Sequence, residues 1–189
     1  MPVTQLITTV GRSAGGGGGG GGTGPALTPV DTGIGLGTSW TVELVGEFYP
    51  SQYWATIWGN ESWNAGLGHI AYLTGSNSLS VGRPNLENYY TLAQPVSVKS
   101  YWAFVHSDGG GIDVYRNGSL LTPSSGNYIQ PSPAGNSLIF GARHGNDGTG
   151  QTDAISNGTF YWTNITSTPF NAGDILSQYI TLQSQYPGI

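Results

Sequence analysis

The sequence contains no cysteine, and only 8% of its 189 residues are charged, against a usual share of about a quarter. Without cysteine there is no disulfide framework, no thiol nucleophile and no thiolate metal site. No run approaches the roughly 20 apolar residues that a membrane-spanning helix needs. Five basic residues against ten acidic ones leave a net charge of −5, which argues against a surface built to attract nucleic acid or anionic lipid. Residues 1–14 lack both a basic n-region and an unbroken apolar h-region, so no secretory leader is expected from them. The expectation is a chain used without Sec export, or one that leaves its cell by another route such as lysis.

Low charge here does not mean disorder, because 12% of the residues are aromatic and Thr, Ser, Val and Ile are plentiful. That is a β-protein palette. The length favours one domain with a real core.

A boundary falls early. Residues 15–22 are eight consecutive glycines, a run of maximal backbone entropy with nothing to pack. The β-prone stretch before them carries Leu6, Ile7 and Val10. A short apolar segment tethered by polyglycine suits addition to a sheet edge or groove on another chain. Residues 1–30 are therefore read as an extended Gly-rich anchoring arm and residues 31–189 as the body. Deleting residues 1–24 is expected to remove no strand of that body.

From Ser39 the chain reads as strands punctuated by turns. Trp40, Val42 and Leu44 alternate with Thr41, Glu43 and Val45, a period of two. Further strands are read at 53–58, 68–73, 78–82, 96–108, 112–118, 137–143 and 159–165. Asn117-Gly118 marks a two-residue hairpin. One helix is predicted near the end, with Asn171 and Asp174 as its capping box and Ile175, Leu176, Tyr179 and Ile180 as its apolar stripe. The class is all-β: an antiparallel β-sandwich with one short C-terminal helix.

The order of four stretches resembles the laminin-G-like and concanavalin A-like lectin/glucanase superfamily, and in it the LamG-type modules of bacteria and phages. They are WTVELVGEFYP, WAFVHSDGGGIDVYRNGSLL, SLIFGARHGNDG and GTFYWTNITSTPFNAGDI, which together span most of residues 38–185. The resemblance implies a jelly roll of two antiparallel sheets, one of them concave and often used for glycans. The chain departs from the family where Trp162, Thr163 and Asn164 replace acidic residues of the closing strand.

Chemistry is sparse. The Glu-x-Asp-x-x-Glu strand of the glucanases is absent. Glu43 and Glu47 sit about 13 Å apart along a strand, long for a hydrolytic pair, and are read as solvated carboxylates on an outer face. His69, His106 and His144 have no zinc-type spacing. No enzyme is expected. Asp147 and Asp153 bracket a Gly-rich loop that offers oxygen ligands to calcium, but a turn-forming polar loop is the preferred reading, so no cofactor is expected. Trp54, Trp58, Trp63, Tyr89 and Tyr90 are the candidate glycan or partner platforms, while Trp40, Trp102 and Trp162 are assigned to the core.

Three functions follow, in order. The first is a virion structural protein (capsid decoration, head-fibre or tail component) assembled in the host cytoplasm, anchored to other virion proteins through residues 1–30 and displaying a lectin-fold body towards host-surface glycans. The second is a free carbohydrate-binding or adhesion module acting outside the cell. The third is a glycoside hydrolase. Homo-oligomers through the arm are conceivable; nucleic acid and membrane are not expected partners.

Overall fold

The computed structural model describes residues 5–7, 27–50, 54–61, 67–83, 86–126, 136–145, 151–152 and 157–189. Its strands are β1 (Gln5–Ile7), β2 (Val30–Gly35), β3 (Trp40–Phe48), β4 (Ala55–Gly59), β5 (Ile70–Gly75), β6 (Ser78–Arg83), β7 (Leu86–Thr91), β8 (Ser100–His106), β9 (Ile112–Arg116), β10 (Ser119–Leu120), β11 (Ser125–Gly126), β12 (Ser137–Phe140), β13 (Arg143–His144), β14 (Gln151–Thr152) and β15 (Gly158–Thr166). One helix, α1 (Ala172–Gln185), follows.

Six strands form one sheet in the order β1-β15-β3-β8-β9-β10, and seven form another in the order β11-β7-β6-β5-β4-β12-β2. All pairings are antiparallel. Between the sheets lies the main core, where Trp40, Val42, Leu44, Trp102 and Phe104 of the first meet Ile57, Trp58, Leu73, Val81 and Phe140 of the second. The period of two read from β3 thus holds, with alternate residues on opposite faces. Asn117 and Gly118 both take positive φ, 50° and 76°, the backbone that an Asn-Gly hairpin requires.

The outer face of the six-stranded sheet is buried too. Val45, Tyr101, Ala103, Val105, Tyr115 and Trp162 pack against Ile175 and Leu182 of α1. The capping box is in place: the Asn171 side chain accepts from the Gly173 and Asp174 amides, and Asp174 accepts from the Asn171 amide. The buried stripe differs from the one expected. It runs through Ile175, Tyr179 and Leu182, at the i, i+4, i+7 spacing, while Leu176 and Ile180 are 48% and 58% exposed. Ile175→Asp, which buries a charge beneath the helix, is expected to lower stability by about 3 kcal/mol, read by chemical denaturation; an unchanged midpoint would mean that α1 contributes nothing by docking.

Three further features depart from expectation. Two strands, β2 and β7, form where the sequence reading places none, β2 across the boundary between arm and body. Gln5–Ile7 pairs with Ile165, Asn164 and Thr163 of the chain's own β15, so deletion of residues 1–24 removes an edge strand of the first sheet. Strand addition is the mode expected of this segment, and the backbone hydrogen bonds it seeks are supplied within the same chain. Leu6 and Ile7 fall in that strand, and Val10 lies outside the described residues.

Candidate functional site

The outer face of the seven-stranded sheet is buried over most of its extent, and among the described residues it presents exposed side chains at only a few positions. Register fixes what lies there. One row across β4, β5, β6 and β7 is Thr56, Tyr72, Ser80 and Tyr89. The next row, from β2 to β7, is Asp31, Ile139, Gly59, Ile70, Gly82 and Glu87. Ile70, Tyr72 and Ile139 are buried, yet belong to neither apolar cluster. They form the floor of this second face.

Two aromatics rise from it. Trp54, just before β4, is 37% exposed and stacks on Tyr72 with ring centroids 4.6 Å apart and planes 28° apart. Its φ is +73°, a conformation that bulky side chains rarely adopt. The strain is held by the surrounding backbone: the Trp54 amide donates to the Leu73 carbonyl at 3.1 Å, and its carbonyl accepts from the Thr56 hydroxyl at 3.3 Å. Strained backbone of this kind persists where surrounding structure over-determines it, and it clusters at ligand sites. Tyr89 is 40% exposed, and its carbonyl is fixed by the Ser124 amide and hydroxyl at 2.7 and 2.9 Å. Two strand spacings separate Tyr72 from Tyr89, so the two platforms stand about 10 Å apart with the small Ser80 between them.

Polar groups line the same face. Tyr89 donates its hydroxyl to Glu87 at 3.5 Å. The Glu61 carboxylate lies over Gly59, where any Cβ would collide with it, and the Arg143 guanidinium approaches Glu61 to 3.7 Å. At the β2 edge, Asp31 accepts from the Gly33 amide and the Ser137 hydroxyl, and these bonds hold its carboxyl below the usual range. Burial keeps the Tyr72 phenol well above its ordinary value, so it acts as a neutral hydroxyl.

The expected platforms therefore divide. Trp54 and Tyr89 are presented. Trp58 is buried: a register shift between Thr56 and Trp58 turns Ile57 and Trp58 both inward, where Trp58 meets Trp40 edge-on at 5.6 Å. Tyr90 is buried because it follows Tyr89 on β7 and points to the core side. Trp63, Asp147 and Asp153 lie outside the described residues. Trp40 and Trp102 are core as expected, and Trp162 is buried under α1 instead of between the sheets. Tyr72, Glu87, Glu61 and Arg143 are additions. The alternation of Ile70 and Tyr72 against Ala71 and Leu73 is the sequence signal that could have found Tyr72.

The carboxylate pair read as solvated is not. Glu43 has no exposed surface; it accepts from the Tyr101 hydroxyl at 2.6 Å and the Asn164 amide at 2.8 Å. Burial raises its carboxyl, and these two bonds pull back only in part. Glu47 is half-buried and accepts from the Tyr161 hydroxyl at 3.0 Å. Both stand on the six-stranded sheet, not on the seven-stranded one.

The histidines gather more than their spacing suggests. His69 and His106 come within 5.5 Å, ring centre to ring centre, and both lie against Trp40. His106 Nδ1 is 2.9 Å from the Gly111 carbonyl, so it carries the proton. His69 is tied to Asn60 through its backbone amide and its Nδ1, while its Nε2 is buried without a partner. His144 stands apart on β13, its Nε2 donating to the Ser137 carbonyl at 2.7 Å. Among the described residues, no group of three or more His, Asp or Glu is arranged to hold a metal ion.

No protein-family model and no curated sequence matches the chain. Solved structures do. The carbohydrate-binding module CBM40 of the Ruminococcus gnavus IT-sialidase, bound to α2,3-sialyllactose, superposes with a TM-score of 0.60 at 10% identity, covering 85% of this chain and 96% of that one. The NanB sialidase of Streptococcus pneumoniae gives 0.58 at 14% identity over 83% of this chain and 27% of that one. A structure reported for the cell entry of botulinum neurotoxin type C, which depends upon two ganglioside molecules, gives 0.55 at 13% identity over 79% and 37%. The chain thus spans about a quarter of the sialidase and nearly the whole of the module. At these identities the likeness is one of fold: a jelly-roll, lectin-like β-sandwich.

Proposed function

We propose that this chain is a non-catalytic carbohydrate-binding module of the LamG or concanavalin A-like kind, and that it binds glycan on the outer face of its seven-stranded sheet. The observation that carries the reading is Trp54: an exposed indole held in a left-handed backbone and stacked on Tyr72, with the exposed Tyr89 on the same face of the sheet. Aromatic faces take the apolar faces of sugar rings, and neighbouring hydroxyls and carboxylates fix the ring orientation. The full-length likeness to a sialidase's binding module supports the same reading.

On this reading, binding ranks ahead of the virion role. The arm needed for anchoring there has three residues on the chain's own sheet. Hydrolysis ranks last, since Glu43 is fully buried and held by Tyr101 and Asn164. The test is a glycan array probed with the whole chain, followed by titration of the best-retained glycan. Tyr89→Ala should weaken that glycan about tenfold. Retention of no glycan, or affinity indifferent to Tyr89, would overturn the proposal.

A further inference from the structure

The charge on the candidate face bears on which glycans it accepts. By register, Glu87 stands on that face two residues from Tyr89, Asp31 stands on it at the far β2 edge, and the Glu61 carboxylate is buried over its Gly59. The chain has only five Lys and Arg residues, and those described are directed elsewhere or already engaged. Arg143 is the cation at this face, and it approaches Glu61. Arg116 lies between the sheets, where it donates to the Gln94, Pro95 and Val98 carbonyls and the Ser100 hydroxyl and stacks on Trp102. Lys99 donates to the Pro187 carbonyl behind the six-stranded sheet. Arg83 ends β6 on the core-facing parity of Leu79 and Val81. Arg12 lies outside the described residues.

We infer that the module selects neutral glycans and discriminates against sialylated ones. The inference rests on the binding reading above and concerns the same site. A neutral sugar presents hydroxyl donors, and carboxylates such as Glu87 accept from them more strongly than neutral acceptors do. A sialic acid brings a carboxylate of its own, which needs a cation or surplus donors. Here the Tyr89 hydroxyl already donates to Glu87, and the guanidinium of Arg143 sits beside Glu61. Like charges brought together at a partly desolvated surface give specificity by repulsion. The sandwich is thus shared with a module seen holding sialyllactose, while the charge on this face is arranged for a different class of sugar.

The experiment is a panel of matched glycans, lactose and α2,3-sialyllactose among them, each core with and without its sialic acid, titrated against the full chain. The unsialylated member of a pair should bind at least about tenfold more tightly at low salt, and the gap should narrow as salt screens the repulsion. Glu87→Gln should narrow it further without a salt effect of the same size. The salt series on the unaltered chain keeps the inference testable should that variant misfold. Equal or tighter binding of the sialylated members would overturn the inference and leave the binding reading standing. Binding of no member, neutral or sialylated, would overturn both.

Discussion

Trp54→Asn is expected to weaken glycan binding by about 30-fold or more while the melting temperature stays within a few degrees of the parent. The two halves of this result have separate causes. Truncating an exposed aromatic anchor at the centre of a site costs about 2 kcal/mol or more of binding. Stability is set by two opposing terms. A left-handed backbone costs a bulky residue of order 1–3 kcal/mol, and asparagine is among the residues that adopt it most readily. Against that gain stands the lost stacking on Tyr72, worth about 0.5–1.5 kcal/mol. Isothermal titration alongside calorimetric melting reads both. A variant that binds as the parent does would remove Trp54 from the site. One that melts far lower would make the indole a structural pillar instead of a binding surface.

The second large effect is acid sensitivity. Burial, reinforced by the neighbouring His106, pushes His69 from 6.5 down to about 3. The unfolded chain therefore binds a proton that the folded chain refuses, and stability falls as pH drops from 6.5 towards 3. At pH 5 the loss from this residue alone is about 2 kcal/mol. Glu43 works in the opposite direction. Its carboxyl is raised by burial, so the folded state takes up that proton first and gains stability as pH falls through the raised value towards 4.5. The net curve should still decline below pH 6.5, because the histidine begins to act there. Melting temperatures measured between pH 8 and 5 should fall in the parent relative to His69→Gln, the gap between the two widening as pH drops. Parallel curves for the parent and His69→Gln over that interval would show that His69 takes up its proton in the folded protein.

What the sequence made legible was local. The alternation through Trp40–Phe48, the Asn117-Gly118 turn and the Asn171–Asp174 capping box each depend on neighbours within a few residues, and each stands as read. Errors arose where a distant partner decides. Trp58 enters the core because β4 shifts register against β5. Tyr89 and Tyr90 part company only once β7 is known to be a strand, and its strand character comes from pairing with β6. Glu43 reads as a surface residue until Tyr101 and Asn164, 58 and 121 residues away, supply its hydrogen bonds. The meeting of His69 with His106 is likewise a product of two sheets closing, and no spacing encodes it. Of the candidate platforms, sequence reading named Trp54 and Tyr89, which are exposed, but not the carboxylates of the same sheet face. Those are visible only when strand pairing lays Glu87 and Asp31 into one row and the turn after β4 folds Glu61 over Gly59.

The placement of α1 and β1 gives the molecule a back and a front. Both the first described strand and the closing helix attach to the six-stranded sheet, one at its edge and the other across its outer face. Trp54 and Tyr89 look out from the opposite layer. A bead, a surface or a fused protein joined after α1 would therefore be held from behind, with the aromatic pair pointing away from the support. Many copies held this way on one support would all present their binding faces in the same direction, so weak individual contacts with a glycan-coated surface would add up without any change in the module itself.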